Sequence, residues 1–507
     1  MPENEDKTII DEYTVEADEV PAKIQITDEG DYVKRYRLKR PRPSAATEAI
    51  LEEVREKTIA EADITTEGFE DNNEVEESRK IFRSTAMDIM KEQLPGIDEE
   101  KLHTLIGNLI HDMLGLGDVE ILLNDNNLEE IVINNAKEPA WTYHKEEGWL
   151  KTDITFESED EIYNYASEIG RGVGKNISSL HPLLDAHLPS GDRTNATLSP
   201  ISTQGNTITI RKFARDPWTI TDFIKIGTIS PEMAAFLWLC IQYEMNIIIS
   251  GGTGTGKTSL LNVLTPFMPP NQRIISIEDT REISLPDFLH WVPMTTREAN
   301  PDGQGEVSMQ DLLVNSLRMR PDRILVGEIR RKRQAEVLFE AMQTGHSVYS
   351  TLHADTAKTT LKRMTNPPID VPEAVVGAVD LNVVMFRDRR RNFRRVMEIA
   401  EVIDKEQEGL TPHTIYEWDS QEDSFYKEGA SNQVMSKLKM VTGFTDDEIR
   451  DNMREKKDIL KWMVNQDISD LERVGRIVAE YYSEGDEIVE KIRDNVNAEE
   501  IIERSDD

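Results

Sequence analysis

The chain has 507 residues, of which 38% are apolar, and 96 acidic residues against 59 basic ones give a net charge of −37. Such a length suits about three domains of roughly 150 residues each. The charge repels nucleic-acid phosphates, argues against a DNA or RNA partner, and suits a salt-rich cytoplasm where screening removes self-repulsion.

The start "MPENEDKTII" lacks a basic patch followed by an apolar core, and no apolar run approaches the roughly 20 residues of a spanning helix, so the expectation is a cytoplasmic protein. Residues 1–66 read as a mobile N-terminal arm with one helix, "AATEAILEEVREKTIAEA", preceded by the basic patch "VKRYRLKRPRP". That patch is either a solvated segment or a site for a lipid or partner protein. Residues 67–216 mix helices with the short strands "LEEIVINN" and "AWTYH", the pattern of an α+β domain. Ser230-Pro231-Glu232 then opens a helix with an N-cap serine and an N1 proline, and the single cysteine, Cys240, reads as a buried inert thiol.

Residues 217–400 carry the strand candidates "NIIIS", "RIISIE", "RILVGE", "SVYSTL" and "LNVVMF", each read as followed by polar or glycine-rich residues and then a helical pattern. This is the signature of an α/β fold with a parallel sheet, whose loops collect chemistry at one edge. Residues 401–507 read as a helical region, with capping boxes at Thr445/Glu448 and Ser469/Glu472 and a staple from Phe444 to Ile449.

Gly251, Gly252, Thr253, Gly254, Thr255, Gly256, Lys257, Thr258 and Ser259 satisfy the phosphate-binding loop between a strand and a helix. The glycines let backbone amides turn toward phosphate, the helix adds its positive end, Lys257 reaches the β- and γ-phosphates, and Thr258 is a magnesium ligand. The cofactors expected are therefore ATP and Mg2+. Glu328 ends the strand "RILVGE" and is the candidate base that orients water. Glu278, Asp279 and Glu282 end an earlier strand; Glu278 and Asp279 are candidate magnesium contacts through water, and Glu282 counts with the catalytic group. His346 and His353 flank "SVYSTL", with His353 placed to sense the γ-phosphate. A GTP-dependent switch is disfavoured, since no asparagine is followed by lysine.

Beyond the phosphate loop, "SIEDTREISLP" resembles an aspartate box, "LRMRPDRILVGEIR" a Walker B segment and "TGHSVYSTLHADT" a histidine box. In this order and spacing they resemble the type II/type IV secretion ATPases, which power pilus, archaellum and secretion machines. The segment "HWVPMTTREANPDGQGEVSMQDLLVNSLRMRPD" is most similar to the archaeal branch. The resemblance implies a RecA-like P-loop ATPase core behind a PAS-like α+β domain, and a homo-hexameric ring. It also implies a polytopic membrane platform protein as partner, pilin-like subunits indirectly, and a peripheral position at the inner membrane face. By the same resemblance Arg193 in "SGDR" and Arg211 in "TIRK" swing onto the phosphates, and Arg330 contacts the site or an interface. The four-cysteine zinc insertion and the "AIRNLIRE" segment of retraction motors are missing, which favours assembly or secretion. Arg331 stands where many members carry Asp. The basic run "RDRRRNFRR" reads as a solvated hairpin or a ring surface facing an acidic partner.

Overall fold

The computed structural model describes residues 8–502 except 42, 62–71, 189, 214–216, 298, 300–302, 406–408 and 495. The chain divides into two compact units, Met1–Arg215 and Asp216–Asp507. The expected boundaries at 66 and 216 lie outside the described residues.

The first unit holds a nine-stranded sheet formed by β1 (Thr8–Ala17), β2 (Val20–Asp28), β3 (Arg35–Lys39), β4 (Leu128–Ile133), β5 (Trp141–His144), β6 (Gly148–Thr152), β7 (Leu183–His187), β8 (Arg193–Thr197) and β9 (Thr207–Arg211). Its spatial order is β1-β2-β3-β6-β5-β4-β9-β8-β7, antiparallel except between β3 and β6. The expected mobile arm is corrected by this arrangement: residues 8–39 are three paired strands, followed by the helix Ala45–Glu61. The physical reason is period-two alternation under a charged surface. In β2, Ala22, Ile24 and Ile26 point into the core, and in the basic patch Tyr36 is fully buried while Arg35 and Arg37 turn outward to Asp31 and Glu29.

The second unit holds β10 (Ile247–Gly251), β11 (Ile274–Glu278), β12 (Trp291–Thr295), β13 (Arg323–Val326), β14 (Ser347–Leu352), β15 (Leu381–Asp388), β16 (Phe393–Lys405), β17 (Gly409–Asp419) and β18 (Ser424–Lys427), in the spatial order β12-β11-β13-β14-β10-β15-β16-β17-β18. The first six positions are parallel and the last three strands are added antiparallel. All five strand candidates of the α/β core lie in this sheet. β10, β11, β13 and β14 are buried along their whole length, as expected for parallel strands covered on both faces. One face is covered by the helices Met309–Ser316, Lys332–Gln343 and Ala357–Thr365. The other is covered by Pro231–Gln242 together with the C-terminal helices Gln433–Thr442, Asp446–Asn465 and Leu471–Arg493.

The helical C-terminal region is present, but it begins at Gln433; residues 401–427 continue the sheet as β16, β17 and β18. Ser230 caps its helix with proline at the first turn, and Thr445 and Glu448 form the reciprocal box, with Ile449 buried and Phe444 packed against the same core. The second box is corrected: Asp470, one residue after Ser469, caps the helix by accepting from Arg473 N. Aspartate at the N-cap register, with extended backbone, accepts the N3 amide and so takes the cap from the serine before it. Cys240 is fully buried, and its thiol is pushed well up by burial.

Candidate active site

The site forms where β10 ends. Gly251 sits at φ +154°, and a Cβ there would lie 2.6 Å from both Met385 O and Thr255 Oγ1, so only glycine lets the loop turn away from the sheet. Gly254 and Gly256 take φ of 72° and 88° before the helix Lys257–Leu264 begins. The loop therefore presents a helix N-terminus with backbone amides free to face an anion.

Lys257 is buried in this loop; its Nζ donates to Gly252 O at 2.9 Å and lies 3.5 Å from His353 Nδ1. Burial pushes its ammonium below the ordinary lysine value, while the charges of Glu328, Glu282 and Asp355 pull the other way. His353 follows β14, and its Nε2 stands 3.1 Å from Glu328 Oε1. Burial, then the Lys257 charge, pushes the imidazole's pKa down despite Glu328. A neutral ring then suits both neighbours at once: Nε2–H donates to the carboxylate and Nδ1 accepts from the ammonium.

Glu328 leaves β13 one residue beyond Gly327, whose carbonyl accepts from Thr351 Oγ1 at 2.6 Å. Its second oxygen accepts from Arg330 Nε at 2.8 Å, and Arg330 Nη1 donates to Asp279 Oδ2 at 3.0 Å. Asp279 also accepts from Thr296 Oγ1 at 3.3 Å, so the aspartate anchors Arg330. Lys257, His353, Glu328, Arg330 and Asp279 thus form one connected chain along the sheet edge.

Glu278 lies deeper. Its Oε1 accepts the backbone N–H groups of Glu282 and Ile283 at 2.9 and 3.1 Å, while Oε2 is buried with no hydrogen-bond partner. Burial pushes its carboxyl up to about 7. The segment that follows runs back to the phosphate-loop helix, where Ser284 N donates to Asn262 Oδ1 at 2.8 Å. Through this return Glu282 acts electrostatically on both Lys257 and Glu278. Among the described residues no group of three or more His, Cys, Asp or Glu could hold a metal alone. The set offered, a helix-start hydroxyl on Thr258 and the partnerless oxygen of Glu278, suits a hard cation that takes most of its ligands from phosphate and water.

The other expected residues belong to other elements of the chain. His346 is at the opposite end of β14, bonded to Ala341 O and Thr344 Oγ1. Arg193 and Arg211 are neighbours in register on β8 and β9 of the first unit; Arg193 makes a two-pronged pair with Asp185 at 3.1 and 2.7 Å, and Arg211 lies 3.9 Å from Glu130. Arg331 N bonds Gln334 Oε1 at the start of the helix Lys332–Gln343. Two residues escaped the sequence reading: Arg387 and Arg394, on β15 and β16, stand against the phosphate loop, with Arg394 Nε donating to Gly254 O at 3.3 Å. The hairpin itself was legible in "RDRRRNFRR"; its placement beside β10 was not.

Residues 113–381 match the model of the family described as type II/IV secretion system protein. An uncharacterised protein of Methanocaldococcus jannaschii is 37% identical over 387 residues, covering 74% of this chain and 69% of that protein. The type IV secretion system protein PtlH of Bordetella pertussis is 30% identical over 312 residues, covering 55% of this chain and 91% of that protein. The solved VirB11 ATPase of the Brucella suis type IV secretion system, in complex with sulphate, aligns at 25% identity and TM-score 0.29 over 55% of this chain and 90% of that one. With its phosphate loop at the edge of a parallel sheet and a family match to more than half of the chain, the protein belongs to the type II/IV secretion system protein family and is an ATPase of that family.

Proposed function

We propose that this chain is the magnesium-dependent motor of a type IV pilus-like filament, an archaellum or a type II/IV secretion machine. The observation that carries the reading is the connected chain Lys257–His353–Glu328 beside the phosphate loop, which joins a phosphate-binding cation to a carboxylate at the reacting end of a nucleotide. Lys257 moves from Gly252 O onto the β- and γ-phosphate oxygens when nucleotide enters, since a phosphate dianion is a stronger acceptor than a carbonyl. Glu328, held by His353 and Arg330, orients the attacking water and accepts its proton. His353 reports the γ-phosphate to Glu328, because the ring touches both Lys257 and Glu328. Thr258 and, through water, Glu278 would hold a magnesium ion, which would supply neutralisation of the phosphate charge. Glu282 tunes the charge between Lys257 and Glu278. Arg193 and Arg211 supply guanidinium charge to the phosphates, and the chain works in a homo-hexameric ring whose motion drives a polytopic membrane platform protein and, through it, pilin-like subunits.

The protein works in the cytoplasm against the inner face of the membrane, without nucleic acid. No described helix is long and apolar enough to cross a membrane, so the membrane contact goes through the platform partner. The charge of −37 disfavours a DNA track. The missing retraction segment favours assembly or secretion.

The test is steady-state ATP hydrolysis by wild type and Glu328→Gln, with and without Mg2+, alongside mass by light scattering. The expected result is magnesium-dependent turnover by a hexamer that falls by roughly 10²–10⁴ in the variant while ATP binding persists. A variant that turns over like wild type removes Glu328 from the chemistry. A wild-type hexamer that binds ATP without hydrolysing it makes the protein a scaffold with structural ATP.

A further inference from the structure

The run Arg387 to Arg395 holds six arginines and one aspartate in nine residues, in a chain of net charge −37. β15 pairs in parallel with β10 up to Gly251↔Met385 and then continues past the end of β10, so the hairpin it makes with β16 flanks the phosphate loop. Its two faces differ. On one, Phe386 stacks on Trp418 at 5.4 Å, Phe393 meets Trp418 edge-on at 5.9 Å, and Arg395 forms a two-pronged pair with Asp423. That face is closed by its own contacts.

The other face carries Met385, Arg387 and Arg394 and is turned to the loop. Met385 packs on Gly251 and Gly256, a Cβ at Gly254 would lie 2.9 Å from Arg387 Nη1, and one at Gly256 would lie 3.3 Å from Arg394 Cδ. Arg387 and Arg394 are direct cross-strand partners, half-buried, with Arg387 also donating to Asn392 Oδ1 at 3.4 Å. Like charges placed opposite each other on a sheet repel, and an anion between them turns that repulsion into a binding site.

Sheet order decides which part of the ligand they meet. Glu328 and His353 follow β13 and β14, on one side of β10, whereas β15 lies on the other. A triphosphate cradled by the loop at its β-phosphate, with its γ-phosphate toward Glu328, leaves its α-phosphate and nucleoside on the β15 side. We propose that Arg387 and Arg394 form an arginine clamp for the α-phosphate and nucleoside end of the nucleotide. The clamp rests on the nucleotide reading of the phosphate loop. It holds ATP and ADP alike, so it binds the nucleotide through the cycle without sensing hydrolysis.

The experiment is titration of the full chain with ADP and with ATP for wild type, Arg387→Ala, Arg394→Ala, the turn control Arg391→Ala and the loop control Lys257→Ala, with KM and kcat measured beside them. Each clamp variant is expected to weaken ADP and ATP equally, by roughly tenfold to a hundredfold, the loss appearing in KM rather than kcat. Arg391→Ala, on the exposed turn, is expected to bind as wild type. Arg387→Gln and Arg394→Gln serve where alanine lowers the thermal midpoint. Unchanged affinities overturn the clamp, as does a loss confined to ATP with a fall in kcat, which would put the arginines on the γ-phosphate. An equal loss in Arg391→Ala overturns it too, by reducing the effect to bulk charge. A wild type that binds neither nucleotide, or a Lys257→Ala variant that binds both normally, overturns the nucleotide reading itself.

Discussion

Replacing Lys456 by methionine should stabilise the protein at neutral pH and flatten its stability above pH 7. Lys456 lies in the helix Asp446–Asn465 and is fully buried, with its ammonium 5.4 Å from the Trp238 ring and 4.6 Å from the Tyr481 ring. It donates to Asn452 Oδ1 at 2.6 Å and Tyr481 OH at 3.3 Å, while Glu455 is engaged by Tyr481 OH. Burial pushes its pKa from 10.5 down to about 7, with the Glu455 charge opposing the fall. Each tenfold change in proton affinity is worth ~1.4 kcal/mol, so this fall withholds about 5 kcal/mol from the charged folded state. Because the folded pKa is below the unfolded one, the unfolded chain binds more protons between pH 7 and 10.5, and stability contributed by this residue rises with pH across that window. Methionine fills the same space without a charge to desolvate, so the variant gains most below pH 7 and loses the slope above it. The assay is urea denaturation followed by tryptophan fluorescence at pH 6.5 and pH 9, reading the transition of the unit that holds Trp238. A variant destabilised by the same amount at both pH values would refute the reasoning, since it would show that the ammonium's hydrogen bonds and ring contacts outweigh its desolvation.

Gly251→Ala should abolish measurable ADP binding, because its Cβ meets Met385 O and Thr255 Oγ1 at 2.6 Å and the loop has to shift; titration at unchanged affinity would show that the loop tolerates the methyl. Lys257→Met should raise the pH at which the His353 ring titrates, since the Lys257 charge is the second-largest influence holding it down; NMR of the ring Cε1–H checks this, and an unmoved titration separates the two residues. Glu401→Gln should lose about 3 kcal/mol, because the fully buried carboxylate accepts from Ser431 Oγ and from the N–H groups of Asn432, Gln433 and Val434 at the start of the helix Gln433–Thr442. Denaturation midpoints equal to wild type would show that the amide satisfies the same donors.

The α/β core was legible because its signals are local. Three consecutive isoleucines, Ile247 to Ile249, lead through Ser250 into glycines, and the same chain segment that spells the phosphate loop also forces its turn. The ends of β13 and β14 were legible for the same reason, as an apolar strand that stops at Glu328 or at His353 announces a sheet edge. The strands of residues 8–39 were hidden because their outward faces carry the charges that make a segment look disordered, while the inward alternation of Ala22, Ile24, Ile26 and Tyr36 has meaning only once a neighbouring strand exists.

By itself, the sequence determined a nucleotide-binding loop, the carboxylate and histidine that follow two buried strands, and the family to which these belong. Only the tertiary structure decided that His353 bridges Lys257 to Glu328, that Asp279 anchors Arg330, and that Arg387 and Arg394 lie against Gly254. These contacts join residues 25 to 140 positions apart. Strand order in a parallel sheet is set by packing among all its members, so no local pattern states which loop will stand beside which.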